Sequence, residues 1–539
     1  MNDQHGPRDA GHDRGLSRRD FLRRSAAAGS AFAVPGVLGA LGGAETALAA
    51  STGKPKRGGR LSVAIHDGST SDVLAPWNIP EYSDAARAQQ VYERLFSLGP
   101  AGTPIPWLAL STEAANSAAT KWNVKLRPGV HFNNGKTVTA EDVLYSYKYV
   151  ANPKNKCESL PRIQAVDLAN SRAVSPTELE FRLHRPIGDF AGLLAEKALW
   201  IVPNGTTNFN KQVGTGPFLF VSWEPGVRAL FKRNSNYWGI HGGGGPWVDE
   251  LEIYSIPDNT ARLNALLGNQ VQEITFLDPV TAKAQESNAA VQIIRSAQAN
   301  TSPIYMQIDA TMFRNPNVRV AMKLVLDREA LVKDVLFGYG SVGNDLFGKG
   351  QPSYNSSLPQ RVHDPEQAKS LLKKAGVTHM NLTLPATSLA PGMLESALAF
   401  KQLGTPIGIN VTIQTVPSGS YFTNNEYLKV PFYETQWAQG FESQAEDGLL
   451  INSPYNETHW YNKKWDTQFN AAQGIPDETK RNAAYKALQV PLWNLGGYII
   501  PTVYETLDAA AANVRGIVPS IADGFQDLGG FNFKDHWLV

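Results

Sequence analysis

"VGTGPFLFVSWEPGVRALFKRNSNYWG" (213–239) decides the architecture. Gly214 and Gly216 flank Thr215 and permit tight backbone geometry. Pro225-Gly226 is hairpin chemistry between two runs rich in apolar and aromatic residues. The aromatics from Phe218 to Trp238 are core material. The stretch holds no nucleophile–base pair and no metal-ligand spacing, so it reads as scaffold rather than chemistry.

Outward from it, strands and helices alternate. "RLSVAI" (60–65) has the alternation of a half-buried strand. "DAARAQQVYERLFSL" (84–98) carries apolar residues at helical spacing. "KWNVKLRPGVHF" (121–132) predicts a strand pair joined at Pro128-Gly129. "TAEDVLYSYKYVAN" (139–152) predicts a helix with Thr139 and Asp142 as a capping box. Residues 315–340 predict two consecutive helices, and "DPEQAKSLLKKAG" (364–376) one that starts at Pro365 and stops at Gly376. Residues 477–495 predict a helix running into Pro491. The alternation implies an α/β architecture.

"SRRDFLRRS" (17–25) raises a question of compartment. An uncharged stretch, Ser25 to Ala44, follows, and then Ala47-Leu48-Ala49. A basic segment, an apolar segment and small residues make an export signal cut near Ala49. A membrane anchor is the alternative, but glycines and Pro35 make a poor membrane helix. Ser17-Arg18-Arg19-Asp20-Phe21-Leu22-Arg23 resembles the twin-arginine signal, with Arg23 where Lys is usual. That resemblance implies export of an already folded protein. Without residues 1–49, 44 basic side chains face 44 acidic ones. A neutral surface argues against nucleic acid and anionic membranes as partners. About 490 residues exceed one compact core and imply two or more lobes. Cys157, the single cysteine, rules out an internal disulfide and a cysteine-ligated metal centre, and no cysteine near residue 50 could carry a lipid.

Catalytic motifs are absent. "GVHFNNGKT" (129–137) has one residue too many between its glycines for a phosphate-binding loop. "GYGSVG" (338–343) has Tyr339 where a nucleophile elbow needs glycine. The histidines lack ligand spacing, and no cofactor is expected.

The 213–239 stretch strongly resembles a signature of the family 5 bacterial extracellular solute-binding proteins, the peptide- and nickel-binding components of ABC importers. "GGRLSVAI" (58–65), "VYERLFSLGPAGTPIPWLALS" (91–111), "LRPGVHFNNGKTVTAEDVLYSY" (126–147), "NPNVRVAMKLVLDREALVKDVLFGYG" (315–340) and "HDPEQAKSLLKKAG" (363–376) are similar to further family elements in the same order. The resemblance implies a two-lobed α/β periplasmic-binding-protein-like fold of the large type. A ligand would be enclosed between the lobes and delivered to the permease subunits of an ABC transporter. The expected division is a signal at 1–49, a linker at 50–59, lobe I with an extra subdomain at 60–300, lobe II at 301–505, and a return to lobe I at 506–539. The crossings fall near 297–302 and 503–508. The chain is expected to act as a monomer outside the cytoplasmic membrane.

In peptide-binding members a second-lobe stretch supplies a carboxylate for the peptide amine. "TQWAQGFESQAEDGLL" (435–450) is the matching stretch, with Trp437 and Gly440 in pattern. Glu446-Asp447 stand where the family has Asp-Pro-Asp, and Glu442 lies closest to the amine-binding position. Eleven aromatics in residues 421–465 fit either a cleft wall or a core. His66, Asp67 and Tyr305 are further candidates. The ligand is expected to be a peptide, with a nickel chelate, opine or sugar as alternatives. A secreted hydrolase using Glu442 and Asp447 as paired carboxylates is the competing function.

Overall fold

Two long antiparallel strands, Val291–Thr301 and Thr502–Ala511, organise the molecule in a computed structural model. The structure describes residues 53–79, 81–100, 102–157, 159–424, 426–520 and 526–539. The expected export signal lies outside them. The two strands pair from Val291↔Ala511 to Thr301↔Val503, with an irregularity between Ser296 and Asn300.

At one end they belong to a nine-stranded sheet. From the crossing strands outward it continues through Glu273–Ile274, Arg60–Ile65, Glu250–Ser255, Arg228–Arg233 and Phe218–Glu224. Arg60–Ile65 is parallel to both its neighbours. It is buried from Leu61 to Ile65 rather than half-buried, as parallel strands covered on both faces are. At the other end, past Thr301, the chain enters a three-stranded sheet. Ile304–Met306 is its centre, flanked by Phe432–Glu434 and Tyr498–Ile499. The apolar cores follow this division. Leu61, Val63, Phe181 and Phe231 share one cluster, while Ile304, Leu384 and Phe400 share another. The fold is therefore α/β with two lobes.

The 213–239 stretch is the expected hairpin. Phe218–Glu224 pairs with Arg228–Arg233 around Pro225-Gly226, and Gly226 has φ +70. Gly214 and Gly216 serve close approach rather than unusual dihedrals. A Cβ on either would overlap the backbone of Gln90 or Val91, at the end of helix Tyr82–Val91.

Some local expectations change. Residues 84–98 do not form one helix; it ends at Val91, and Phe96–Leu98 is a strand. Lys121–Leu126 does not pair across Pro128-Gly129. It lies between Ala109–Ala114 and Glu178–Arg182 in a four-stranded sheet, and residue 131 makes only an isolated bridge to Thr137. Helix Glu478–Leu495 fills the expected 477–495 segment and carries Pro491 in its interior. Helix Ala140–Ala151 is capped as expected, with Asp142 accepting the Thr139 N–H at 2.7 Å.

Candidate ligand cleft

Ligands of parallel α/β sheets bind outside the carboxyl ends of the strands. His66 and Asp67 leave the end of Arg60–Ile65, and Phe276 lies just past the end of Glu273–Ile274. The His66 ring packs between Phe276, at 5.0 Å, and Tyr82, at 4.6 Å. Its Nδ1 lies 2.9 Å from Thr275 Oγ1. Burial pushes the imidazole down to about 4, aided by the Arg262 charge and opposed by Asp67, so the ring is neutral at pH 7. Asp67 is committed locally. Its carboxylate accepts the N–H groups of Tyr82 at 2.6 Å and Ser83 at 2.8 Å, two donors the helix itself cannot satisfy.

Beneath His66 are two buried carboxyls. Asp508 accepts the N–H of Phe276 at 3.0 Å and of Leu528 at 2.6 Å, and burial raises it to about 7. Asp527, raised by burial and by Asp508, has an oxygen 3.9 Å from His66 Nδ1.

The second-lobe candidates begin where the short strand Trp437–Ala438 pairs with Asn300 and Thr301. Trp437 donates its indole N–H to Glu457 at 3.0 Å. Glu457 is fully buried and also accepts from Tyr427, Thr435 and Tyr498. Gly440 precedes helix Phe441–Gly448, and a side chain there would collide with Gln351. Glu442, in the first turn, accepts from Gln473 at 3.2 Å, and burial raises its carboxyl. Asp447 accepts from Gln439 at 2.8 Å and faces Arg162 at 3.4 Å. Tyr305 is fully buried, stacks on Tyr433 and accepts the Leu428 N–H at 3.1 Å. Of the aromatics between 421 and 465, Tyr421, Phe432, Tyr433, Phe441, Trp460 and Trp465 are buried core. Trp437, Tyr455 and Tyr461 keep exposed surface.

The candidates thus form two groups, His66–Asp67 and Trp437–Asp447, on different elements. Sequence reasoning noted Glu446 only as part of the acidic stretch and missed Arg162 and Arg185. Arg185 donates to Glu446 at 3.0 Å, and Arg162 also pairs with Glu446. No local motif links residues some 260 or more positions apart. Cys157 is buried, which pushes its thiol up to about 11 and leaves it unreactive.

Residues 103–457 match the model of the bacterial extracellular solute-binding proteins, family 5 middle region. The chain belongs to this family. It is 25% identical over 489 residues to the glutathione-binding protein GsiB of Pectobacterium atrosepticum, covering 85% of this chain and 92% of that one. The DppA protein of Helicobacter pylori, solved with the peptide STSA, superposes with a TM-score of 0.72 at 19% identity, covering 90% of this chain and 98% of that one. The binding protein AgaA of A. tumefaciens R10, solved with agropinic acid, gives a TM-score of 0.70 at 21% identity, covering 89% and 99%. These solved structures share the two-lobed fold. The chain's role is accordingly that of an extracytoplasmic solute-binding receptor of an ABC importer, and the family consists of binding proteins rather than hydrolases. Among the described residues no helix is long and apolar enough to cross a membrane.

Proposed function

We propose that this receptor captures a peptide or similar small solute between its lobes, as a monomer, and presents it to the permease. The division proposed is lobe I at 60–300 with return 506–539, and lobe II at 301–505. The observation that carries this reading is the paired strands Val291–Thr301 and Thr502–Ala511, the second running in from the Tyr498–Ile499 edge of the three-stranded sheet. Two adjacent strands make a narrow connection about which lobes can rotate. On one side lie His66 and Asp67, and on the other Trp437, Gly440, Glu442 and Asp447. Tyr305, inside the second-lobe core, would act by supporting that face.

A peptide is favoured because DppA was solved with one and GsiB is named for a tripeptide thiol. Agropinic acid in AgaA keeps an opine in view. We further propose that the twin-arginine pattern directs export of the folded protein. Native mass spectrometry of protein purified from its own host tests the receptor reading. A co-purifying solute of defined mass supports it. Turnover of peptides or sugars with release of product would overturn it.

A further inference from the structure

We propose that Arg162 and Arg185 form, with Glu446, Asp447 and Gln473, an ionic latch that holds the lobes closed. The proposal rests on the two-lobed receptor reading and assigns a role to acids that otherwise look like ligand contacts.

The two sides of this contact belong to separate cores. Ile163, Ile187 and Phe190, around the arginines, pack in the first-lobe cluster. Phe441, Phe469 and Tyr485, around the acids, pack in another. What joins them is polar. Arg162 reaches Glu446 and, at 3.4 Å, Asp447. Arg185 donates to Glu446 at 3.0 Å and to Gln473 Oε1 at 2.7 Å. Gln473 Nε2 donates to Glu446 at 2.7 Å, which holds the acid toward the arginines. Arg481 faces Asp189 at 3.7 Å beside them.

The contact also has a steric seat. Gly188 donates its backbone N–H to the Gln473 carbonyl at 2.6 Å. A Cβ at Gly188 would overlap the carbonyl of Ile475, and one at Gly474 would press on Pro186. The surfaces meet with no room for a methyl group.

The arrangement suits release rather than permanence. The side chains of Arg185 and Asp447 are 41% and 27% exposed, so water can replace each bond as it breaks. Partly exposed pairs are weak singly and screened by salt, but several acting together bias an equilibrium without locking it. Glu446 and Asp447 spend their charge on arginines of the other lobe. They are therefore poor partners for a ligand ammonium, and closure does not depend on ligand charge alone.

The test uses the ligand-free mature chain and small-angle scattering at low and high NaCl. In wild type the radius of gyration is expected to rise with salt. Arg185→Ala and Glu446→Ala should each enlarge it at low salt, lowering the closed-to-open ratio about fivefold. The double substitution should add little to Glu446→Ala, which already removes the partner of Arg185, but should exceed Arg185→Ala, which leaves the Arg162–Glu446 pair in place. Gly188→Ala is an independent wedge that leaves every charge in place and should open the lobes at any salt. Unchanged far-ultraviolet circular dichroism confirms that each variant is folded. A radius indifferent to salt and to all these substitutions overturns the latch. If calorimetry with the host-derived solute still shows saturable binding in that case, the receptor reading stands while the latch falls. A radius that responds as expected in a protein that binds no solute supports the latch and removes the receptor reading.

Discussion

The hydroxyl of Thr215 donates to the carboxylate of Glu93 at 2.7 Å, in the core of the first lobe. Glu93 also accepts from Trp107 at 2.7 Å, Tyr237 at 2.8 Å and Trp238 at 2.8 Å. One buried acid therefore ties the Gly-Thr-Gly-Pro turn to the Tyr-Trp end of the 213–239 stretch. The hairpin between them is clamped at both ends.

Removing that acceptor strands buried donors. Glu93→Gln is expected to cost on the order of 3 kcal/mol, and Thr215→Val about 1–3 kcal/mol. Urea unfolding monitored by tryptophan fluorescence checks this. Equal stability of Glu93→Gln and wild type would show that the donors find other partners.

Asp67 is expected to act on stability. Asp67→Ala leaves the N–H groups of Tyr82 and Ser83 without their acceptor and should cost about 1–2 kcal/mol. Thermal melts read the loss. A large fall in solute affinity with no loss of stability would instead make Asp67 a ligand contact.

His66 makes stability depend on pH. Its folded value of about 4 lies below the ordinary 6.5. Between those values the unfolded chain binds a proton that the folded one refuses. The contribution is present above pH 6.5 and lost as pH falls toward 4, by on the order of 3 kcal/mol. His66→Gln should flatten that part of a stability–pH curve. An unchanged curve would place the proton uptake elsewhere.

Glu442 and Asp447 should separate in calorimetry with the host-derived solute. Glu442 is half-buried and held by Gln473, whereas Asp447 already faces Arg162 and Gln439. If Glu442 pairs with a ligand ammonium, Glu442→Gln costs about 2–5 kcal/mol, or thirtyfold and more in affinity. Asp447→Asn should change affinity less than about fivefold. The reverse order would sink the assignment.

Export should depend on the arginine pair. Replacing Arg18 and Arg19 by Lys-Lys is expected to abolish secretion of a species cut near Ala49. Fractionation and intact-mass measurement report the outcome, and normal export of the double-lysine variant would point to another route.

Much of the fold was legible because it rests on local rules. The Thr139–Asp142 box, the Pro225-Gly226 turn and the Pro365 helix start each act over a few residues, and each appears where expected. Readings failed where long-range packing overrode a local pattern. Arg60–Ile65 alternates like a half-buried strand, yet Leu61, Val63 and Ile65 pack in one apolar cluster and Ala64 in another, so both faces are covered. Residues 92–98 continue a helical spacing, yet Tyr92 ends the helix with extended backbone and Phe96–Leu98 pairs with Pro104–Pro106.

The sequence by itself determined the α/β class, the family and the absence of catalytic spacing, since these rest on residue order and short-range geometry. It also drew the eye to the acids from Glu442 to Asp447. Only the tertiary structure decided what those acids face. Arg162 and Arg185 lie hundreds of residues away and come within bonding distance only in the folded chain. Burial is likewise a property of the assembled chain, so the shifted protons of His66 and Asp508 and the shared acceptor Glu93 could not be read from their neighbours in sequence.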